Sequence, residues 1–317
     1  MSIPAHLQED IRCCVCANSD KNQFDLLYQK ENFAVVTCNH CSFQFIPPYY
    51  RKKIEYTQYK NEEVTKAVRQ GNNWIKIQRH KLRLNWIKKF KPSGSLFDLG
   101  AGWGHFMLAA KEEGYSIYGI EIAEQPYRYC VDDLKLPVEH IDFFKMDPSK
   151  KFDVITLWDV LEHIDKADEF VAKIAELTAP GGYLILQVPQ IDSFFAKRHK
   201  DQWKMMGLDH VNYFGKSTIK RLLERHGFEV EAYKSSFEIK LFIMYTLLPL
   251  VKRLKKKNSK AVTNGTISAA DRQNYFNRFT KRPKWQLKLF VWIHNRIYNT
   301  LSNLNIGEEM MVAARKK

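Results

Sequence analysis

Cysteines near the start of the chain occur as two Cys-x-x-Cys pairs, with 21 residues between the inner cysteines. The four residues are Cys13, Cys16, Cys38 and Cys41. Two pairs at this separation are typical of zinc ribbons, in which four thiolates surround Zn²⁺ and leave no open position for catalysis. We therefore predict a structural zinc site in a ribbon module over residues 1–48, and we expect removal of the metal to unfold this module and to spare the rest. The alternative is a set of ordinary reduced thiols, and Cys14 and His40 are spare candidate ligands.

A second chemical signal is the run SLFDLGAGWG at residues 95–104, which predicts a short buried strand followed by a turn containing Gly100, Gly102 and Gly104. Glycine in such a turn lets the backbone bend sharply and lie close to a ligand. The next residues favour a helix that stops at a glycine. In nucleotide-binding βαβ units an acidic residue roughly 20 positions further on binds the ribose hydroxyls. Glu121, at the end of the next predicted strand, fits that position.

The elements that position these residues alternate regularly between strand and helix from residue 95 onward. The predicted strands are LFDL, SIYGIEI, VEHID, FDVITLWD and YLILQVPQ. This alternation predicts an α/β fold with a mostly parallel, doubly wound, Rossmann-like sheet, whose ligands bind at the carboxyl ends of the strands. Before it, residues 49–94 favour helices that link the ribbon to the sheet and could cover the ligand.

Further candidates stand at the ends of the later strands. Asp142 and Phe143 follow the third strand, and Trp158 and Asp159 end the fourth. The run from Asp159 to Glu162 also fits a helix-capping pair, so capping and packing is the alternative interpretation there. Two histidines could accept a proton near neutral pH, His163 after the fourth strand and His210 in the run DHVNYF. For His210 the alternative is a structural hydrogen bond beside Tyr213.

The pattern Asp-x-Gly-x-Gly-x-Gly, from Asp98 to Gly104, resembles motif I of the class I S-adenosylmethionine-dependent methyltransferases. The run from FDVITLWDVLEHI to LILQVPQ resembles later motifs of bacterial members. The resemblance implies S-adenosylmethionine as cofactor, held by the glycine turn and Glu121. It also implies that Asp142 and Phe143 lie at the adenine, and that Trp158 and Asp159 line the methyl-transfer cleft.

With the preceding ribbon, the chain resembles zinc-binding methyltransferases of sugars and natural products, including nucleotide-sugar C-methyltransferases, over residues 11–236. In that subgroup a histidine in a segment flanked by Tyr-Phe, and tyrosines of the linker, surround the substrate. His210 matches that histidine, and Tyr56 and Tyr59 match the tyrosines by type and spacing. The implied catalytic base is His210, with His163 as second candidate.

The formal charge of +15 is concentrated at the carboxyl end, where residues 240–317 carry 17 Lys and Arg against three acids. Apolar and basic stretches at residues 241–257 and 285–301 favour amphipathic helices, so we treat residues 237–317 as a basic extension. Such helices suit an anionic membrane surface. Packing on the protein body, dimerisation and nucleic-acid binding are the alternatives. Neither a signal peptide nor a membrane-spanning run is visible, which favours a cytoplasmic protein, peripheral to the inner face of the membrane.

These observations predict a methyltransferase acting on a sugar, glycan or lipid-linked small molecule. Residues 95–236 are its expected cofactor domain. RNA methylation is a second interpretation, although the basic residues do not lie on the zinc module and WDVL stands where an Asn-Pro-Pro-Tyr motif would follow the fourth strand. A non-catalytic scaffold is the third, and the intact glycine turn argues against it.

Overall fold

The computed structural model describes residues 3–51, 68, 74–236, 283–303 and 307–317. The predicted linker tyrosines Tyr56 and Tyr59 lie outside these residues, as does the apolar run at 241–251. Within the described part of the chain, no helix is both long enough and apolar enough to cross a bilayer.

The amino-terminal segment forms a small four-stranded sheet, of which three strands come from the predicted ribbon. They are β1 (Phe24–Gln29), β2 (Ala34–Cys38) and β3 (Gln44–Phe45). The fourth strand, β9 (Asn212–Tyr213), comes from a distant part of the sequence and pairs with β3 in antiparallel fashion. A strand shared in this way joins the ribbon to the rest of the protein.

The ribbon and the main body also share a hydrophobic core. The ring of Phe43 packs 5.2 Å from the ring of Phe214, and both are buried. Arg225 donates hydrogen bonds of 2.9 Å to the backbone carbonyls of Cys14 and Val15. The sequence predicted that the ribbon would unfold alone when the metal is removed. These contacts argue against that prediction, because loss of the ribbon would also expose apolar surface of the main body.

A seven-stranded sheet forms the centre of the molecule and confirms the predicted α/β architecture. Its strands are β4 (Ser95–Leu99), β5 (Ser116–Ile120), β6 (Val138–Glu139), β7 (Phe152–Trp158), β8 (Thr178–Pro189), β10 (Phe228–Ser236) and β11 (Glu309–Lys316). Their order is β10-β11-β8-β7-β4-β5-β6. Strand β11 is antiparallel to both neighbours, and strands β4 to β8 are parallel. The third strand is shorter than predicted, since Asp142 caps a 3-10 turn instead of ending the strand.

Helices pack against the faces of the sheet, as its near-continuous apolar strands require. The helices of the described residues are α1 (Pro48–Arg51), α2 (Trp74–Ile87), α3 (His105–Glu112), α4 (Glu124–Arg128), α5 (Ala167–Leu177), α6 (Phe194–His199), α7 (Lys216–Arg225) and α8 (Lys284–Asn303), of which α1 and α6 lie away from the central sheet. Helix α2 buries Leu84 and Ile87 against the sheet and contacts α3. It therefore packs as part of the central body, although the sequence placed it in the linker.

The predicted boundary at residue 237 is wrong for the end of the chain. Residues 309–316 are a strand of the central sheet, inserted between β8 and β10, and Met310 to Ala314 are fully buried. The sequence signal was weak because this apolar run is short and is followed by Arg315, Lys316 and Lys317. Only the segment between β10 and β11 can therefore be an extension.

Candidate active site

The glycine turn after β4 has the conformation that its composition predicts. Gly100, Gly102 and Gly104 all have positive φ, which disfavours any side chain. A Cβ on Gly104 would lie 2.6 Å from Leu136, whereas a Cβ on Gly102 would meet nothing within 4 Å. Gly104 therefore allows close packing of α3. The space beside Gly102 is open to a ligand.

Glu121 lies beside this turn, at the carboxyl end of β5. Its two carboxylate oxygens accept hydrogen bonds from the backbone N–H groups of Gly102 (2.7 Å) and Ala123 (2.8 Å). Burial raises the pKa of Glu121, and the two backbone donors oppose that rise. A buried carboxylate next to open space over a glycine turn fits the ribose of a nucleotide cofactor. These residues would hold S-adenosylmethionine.

Asp98 is tied into the sheet below the turn. Its carboxyl group accepts a hydrogen bond of 2.7 Å from the hydroxyl of Thr156 on β7. Burial raises the pKa of Asp98 to about 7. Asp98 thus couples β4 to β7 directly beneath the glycine turn, and its predicted contact with the cofactor remains a prediction.

The two residues predicted to lie at the adenine, Asp142 and Phe143, have different surroundings in the structure. Asp142 caps the turn after β6 by accepting from the N–H of Phe144 at 3.0 Å. The side chain of Phe143 is buried in the core, with its ring 4.6 Å from that of Phe170, so it is not a surface for the adenine. The neighbouring ring of Phe144 is 45% exposed. Of the two neighbouring rings, only that of Phe144 is open to solvent.

Trp158 and Asp159 lie where β7 ends, and a hydrogen-bond network surrounds them. Gln187 on β8 donates to the carboxylates of Asp159 (3.0 Å) and Glu309 (2.9 Å). Arg83 of α2 donates to the side-chain oxygen of Gln187 at 3.1 Å and lies 4.3 Å from the Trp158 ring centre. Sequence analysis missed Arg83, Gln187 and Glu309. A glutamine within an otherwise apolar strand was the one available signal.

The capping interpretation of Asp159 and Glu162 is wrong. Asp159 has a φ of 58° and lies before Val160, the residue that begins the 3-10 turn Leu161–His163. The Glu162 side chain is buried, and its Oε2 has no hydrogen-bond partner within the described structure. Burial, followed by the charge of Asp159, raises the pKa of Glu162 well above its ordinary value.

His163 and His210 come together next to Glu162, with 4.8 Å between their ring centres. The Nδ1 atom of His163 bonds the carbonyl of Asp209 at 2.6 Å, and that of His210 bonds the carbonyl of Met205 at 2.8 Å. Because a carbonyl only accepts, each Nδ1 carries a proton, so Nε2 is the basic nitrogen in the neutral form of either ring. Burial lowers the pKa of His210, which keeps this ring neutral near pH 7.

Among the residues that the structure describes, two groups of side chains have ligand atoms close enough to hold a metal ion. One is formed by Glu162, His163 and His210, whose ligand atoms all lie within 4.8 Å of one another. The other is the predicted zinc site, which comprises Cys13, Cys16, Cys38 and Cys41. Its sulfur atoms are separated by 3.5 Å (Cys13–Cys41) and 3.7 Å (Cys16–Cys38). A tetrahedral zinc site with bonds of about 2.3 Å requires roughly 3.8 Å between sulfurs, so the four thiols fit zinc. Cys14 and His40 lie outside the cluster.

Comparison with known proteins identifies the central domain. Residues 75–233 match the family model described as a methyltransferase domain. The ubiquinone biosynthesis O-methyltransferase of Leptothrix cholodnii is 27% identical over 120 residues, which cover 34% of this chain and 51% of that protein. Its counterpart in Photorhabdus laumondii is 26% identical over 144 residues, covering 41% and 56%. The chain thus spans about half the length of the curated relatives that it matches.

Solved structures of methyltransferases are similar at lower identity. A S-adenosylmethionine-dependent methyltransferase from Archaeoglobus fulgidus is 20% identical, with a TM-score of 0.46, over 75% of this chain and 94% of that chain. The phosphoethanolamine N-methyltransferase 2 of Haemonchus contortus, in complex with S-adenosylmethionine, is 18% identical, with a TM-score of 0.43, over 74% and 52%. Since the family model matches half of the sequence, the chain belongs to the methyltransferase-domain family, in the class I S-adenosylmethionine-dependent group.

Proposed function

We propose that this protein transfers a methyl group from S-adenosylmethionine to a hydroxyl group of a sugar, glycan or lipid-linked small molecule. The observation that supports this most strongly is the pair of imidazoles, His163 and His210, at the carboxyl edge of the sheet, with 4.8 Å between their ring centres. Both Nδ1 atoms donate to backbone carbonyls, so Nε2 is the nitrogen of each neutral ring that can accept a proton. Strand β7 leads to His163 and the adjacent parallel strand β4 leads to the glycine turn, which supports a candidate base and a candidate cofactor turn at the same edge of the sheet.

When bound, S-adenosylmethionine supplies a methyl group activated by its sulfonium. The acceptor oxygen forms a bond to the methyl carbon while the carbon–sulfur bond breaks, and the electron pair of that bond remains on sulfur. The hydroxyl proton passes to Nε2 of His210. The low pKa of His210 keeps that atom free of a proton before the step, and His163 lies next to it as the second candidate base.

The polar groups around this site suit an acceptor with several hydroxyl groups. Arg83 supplies further N–H donors, and Asp159 and Glu309 supply carboxylate acceptors held by Gln187, at the same edge of the sheet. The relatives from Leptothrix cholodnii and Photorhabdus laumondii are O-methyltransferases of ubiquinone biosynthesis, which supports oxygen as the acceptor atom and is compatible with a lipid-like acceptor. We infer further that the acceptor is encountered at an anionic membrane surface.

The test is incubation of the purified protein with methyl-labelled S-adenosylmethionine and a lysate of the source organism. The products are then divided into lipid, polar small-molecule, RNA and protein fractions. We expect label in the lipid or polar small-molecule fraction, and loss of that label with the variant Gly102→Val, which fills the open space at the turn. Label that disappears on ribonuclease treatment would overturn the proposed acceptor class, and absence of label from every fraction would favour a non-catalytic scaffold.

A further inference from the structure

Helix α8 exposes large apolar side chains on one face. Trp285 is 65% exposed, Leu289 47%, Trp292 58% and Ile293 43%. Their spacing of four, seven and eight residues from Trp285 places them on a single stripe of the helix. Soluble proteins rarely present a contiguous apolar stripe with two tryptophans to water unless it binds something.

The apolar stripe is not the face of α8 that packs against the protein body. The helix contacts α2 and β10, and Leu287, on another side of α8, is 4% exposed. The protein body therefore already binds α8 through a separate face. The stripe of Trp285, Leu289, Trp292 and Ile293, which we call the outer face, is left for another contact.

The charges around the outer face have one sign. Lys284, Lys288 and Arg296 are exposed on α8, and the helix contains no Asp or Glu. The guanidinium of Arg296 lies 5.5 Å from the ring centre of Trp292. Tryptophan rings bordered by lysine and arginine suit the boundary between water and acyl chains, where the ring lies at the headgroup level and the cations meet anionic phosphates.

Chain connectivity places this helix on the side of the candidate active site. Strand β10 runs in the same direction as β8, because both are antiparallel to β11. The chain therefore leaves β10 at the carboxyl edge of the sheet and returns there at Glu308 and Glu309. Glu309 accepts from Gln187 in the active-site network, and Glu308 accepts from Trp203 Nε1 at 3.2 Å. The segment that carries α8 is thus anchored next to the acceptor site.

We propose that the outer face of α8 docks onto an anionic lipid surface and presents the active site to acceptors held there. The proposed binding to lipid is argued from helix α8 alone. The presentation of the active site to a membrane-held acceptor rests on the proposed function. Charge complementarity favours an anionic lipid surface over a second copy of the chain. If the same face of a second copy docked here, Lys284, Lys288 and Arg296 would meet the same cations.

The experiment is co-sedimentation of the full chain, without S-adenosylmethionine, with vesicles of phosphatidylcholine alone or mixed equally with phosphatidylglycerol. We expect binding to the mixed vesicles only, and weaker binding at high salt. Replacing Trp285 and Trp292 with Ser should weaken binding by about tenfold or more for each ring, given roughly 1.5–3 kcal/mol per large apolar side chain. Lys288→Gln should weaken it about fivefold, from ~1 kcal/mol per basic residue.

The matched control is Phe194→Ser, which removes a 57% exposed aromatic ring from α6 and should leave vesicle binding unchanged. Equal binding to both vesicle types, or equal loss with the control, would overturn the proposal. So would a dimer that dissociates in the tryptophan variants and does not sediment with lipid. Because the assay contains no cofactor, its failure would leave the proposed methyl transfer standing.

Discussion

Asn212 links the ribbon sheet to the turn that carries His163. It lies in β9, is 1% exposed, and its backbone pairs with that of Phe45 in the ribbon. Its side-chain Nδ2 donates to the carbonyls of Ile164 (2.7 Å) and Leu161 (3.3 Å), which flank His163 on both sides. We expect Asn212→Ala to reduce turnover strongly while cofactor affinity is retained.

The size of the effect follows from these bonds. Removing the donor leaves the carbonyl of Ile164 without its short hydrogen bond, at a cost of about 1–3 kcal/mol in the free energy of unfolding. The turn can recover part of that energy by moving toward water, which would displace His163 from His210. A displacement of about 1 Å in a catalytic group can lower turnover by roughly 100-fold. Glu121 and the glycine turn lie on other elements, so the cofactor site is not disturbed.

Three measurements on one variant test this reasoning. Urea unfolding gives the loss of stability, calorimetric titration gives the dissociation constant of S-adenosylhomocysteine, and labelled S-adenosylmethionine gives turnover with the acceptor fraction of the wild type. Asn22→Ala is the matched control, since Asn22 is an exposed ribbon residue. Wild-type turnover in the Asn212 variant would refute the positioning role. A loss of cofactor affinity as large as the loss of turnover would refute it as well.

Three further predictions follow from other parts of the structure. Glu121→Ala removes the acceptor of the Gly102 N–H, and should weaken S-adenosylmethionine binding about tenfold or more by calorimetry; unchanged affinity would contradict the cofactor site. Stripping zinc with a chelator, or Cys38→Ser, should lower the melting temperature of the whole protein, because the ribbon shares its core; an unchanged main transition would show that the ribbon is independent. Burial lowers the pKa of His105 to about 3, so between about pH 6.5 and 3 the unfolded chain binds a proton that the folded chain does not. As the pH is lowered through this window, the unfolding free energy should therefore decrease more steeply in the wild type than in His105→Gln. Equal slopes in the two proteins would contradict that burial.

Local patterns were sufficient to predict the glycine turn and the position of Glu121 beside it. The turn from Gly100 to Gly104 and the position of Glu121 depend on residues within one strand-turn-helix unit and the strand that follows it. Their geometry is set by backbone sterics and by a short chain connection, so it is readable from spacing alone. The four cysteines were predictable for the same reason, because each pair is local.

Long-range pairings were not predictable from the sequence. Arg83 and Gln187 are 104 residues apart, and Gln187 and Glu309 are 122 apart, yet they form one network. The insertion of β11 between β8 and β10 likewise depends on antiparallel pairing between distant segments, since Glu309 pairs with Pro189. In each case the partner is selected by tertiary packing, which leaves little trace in the local pattern of apolar and polar residues.

The measurement that tests the central claim most directly is single-turnover transfer from labelled S-adenosylmethionine by His210→Ala. His199→Ala is the matched control, because His199 is exposed on α6 and bonds only its own helix among the described residues. We predict that the His210 variant binds the cofactor like the wild type and loses transfer, and that the His199 variant keeps both. Transfer at the wild-type rate by His210→Ala would contradict the assignment of the imidazole pair as the proton acceptor.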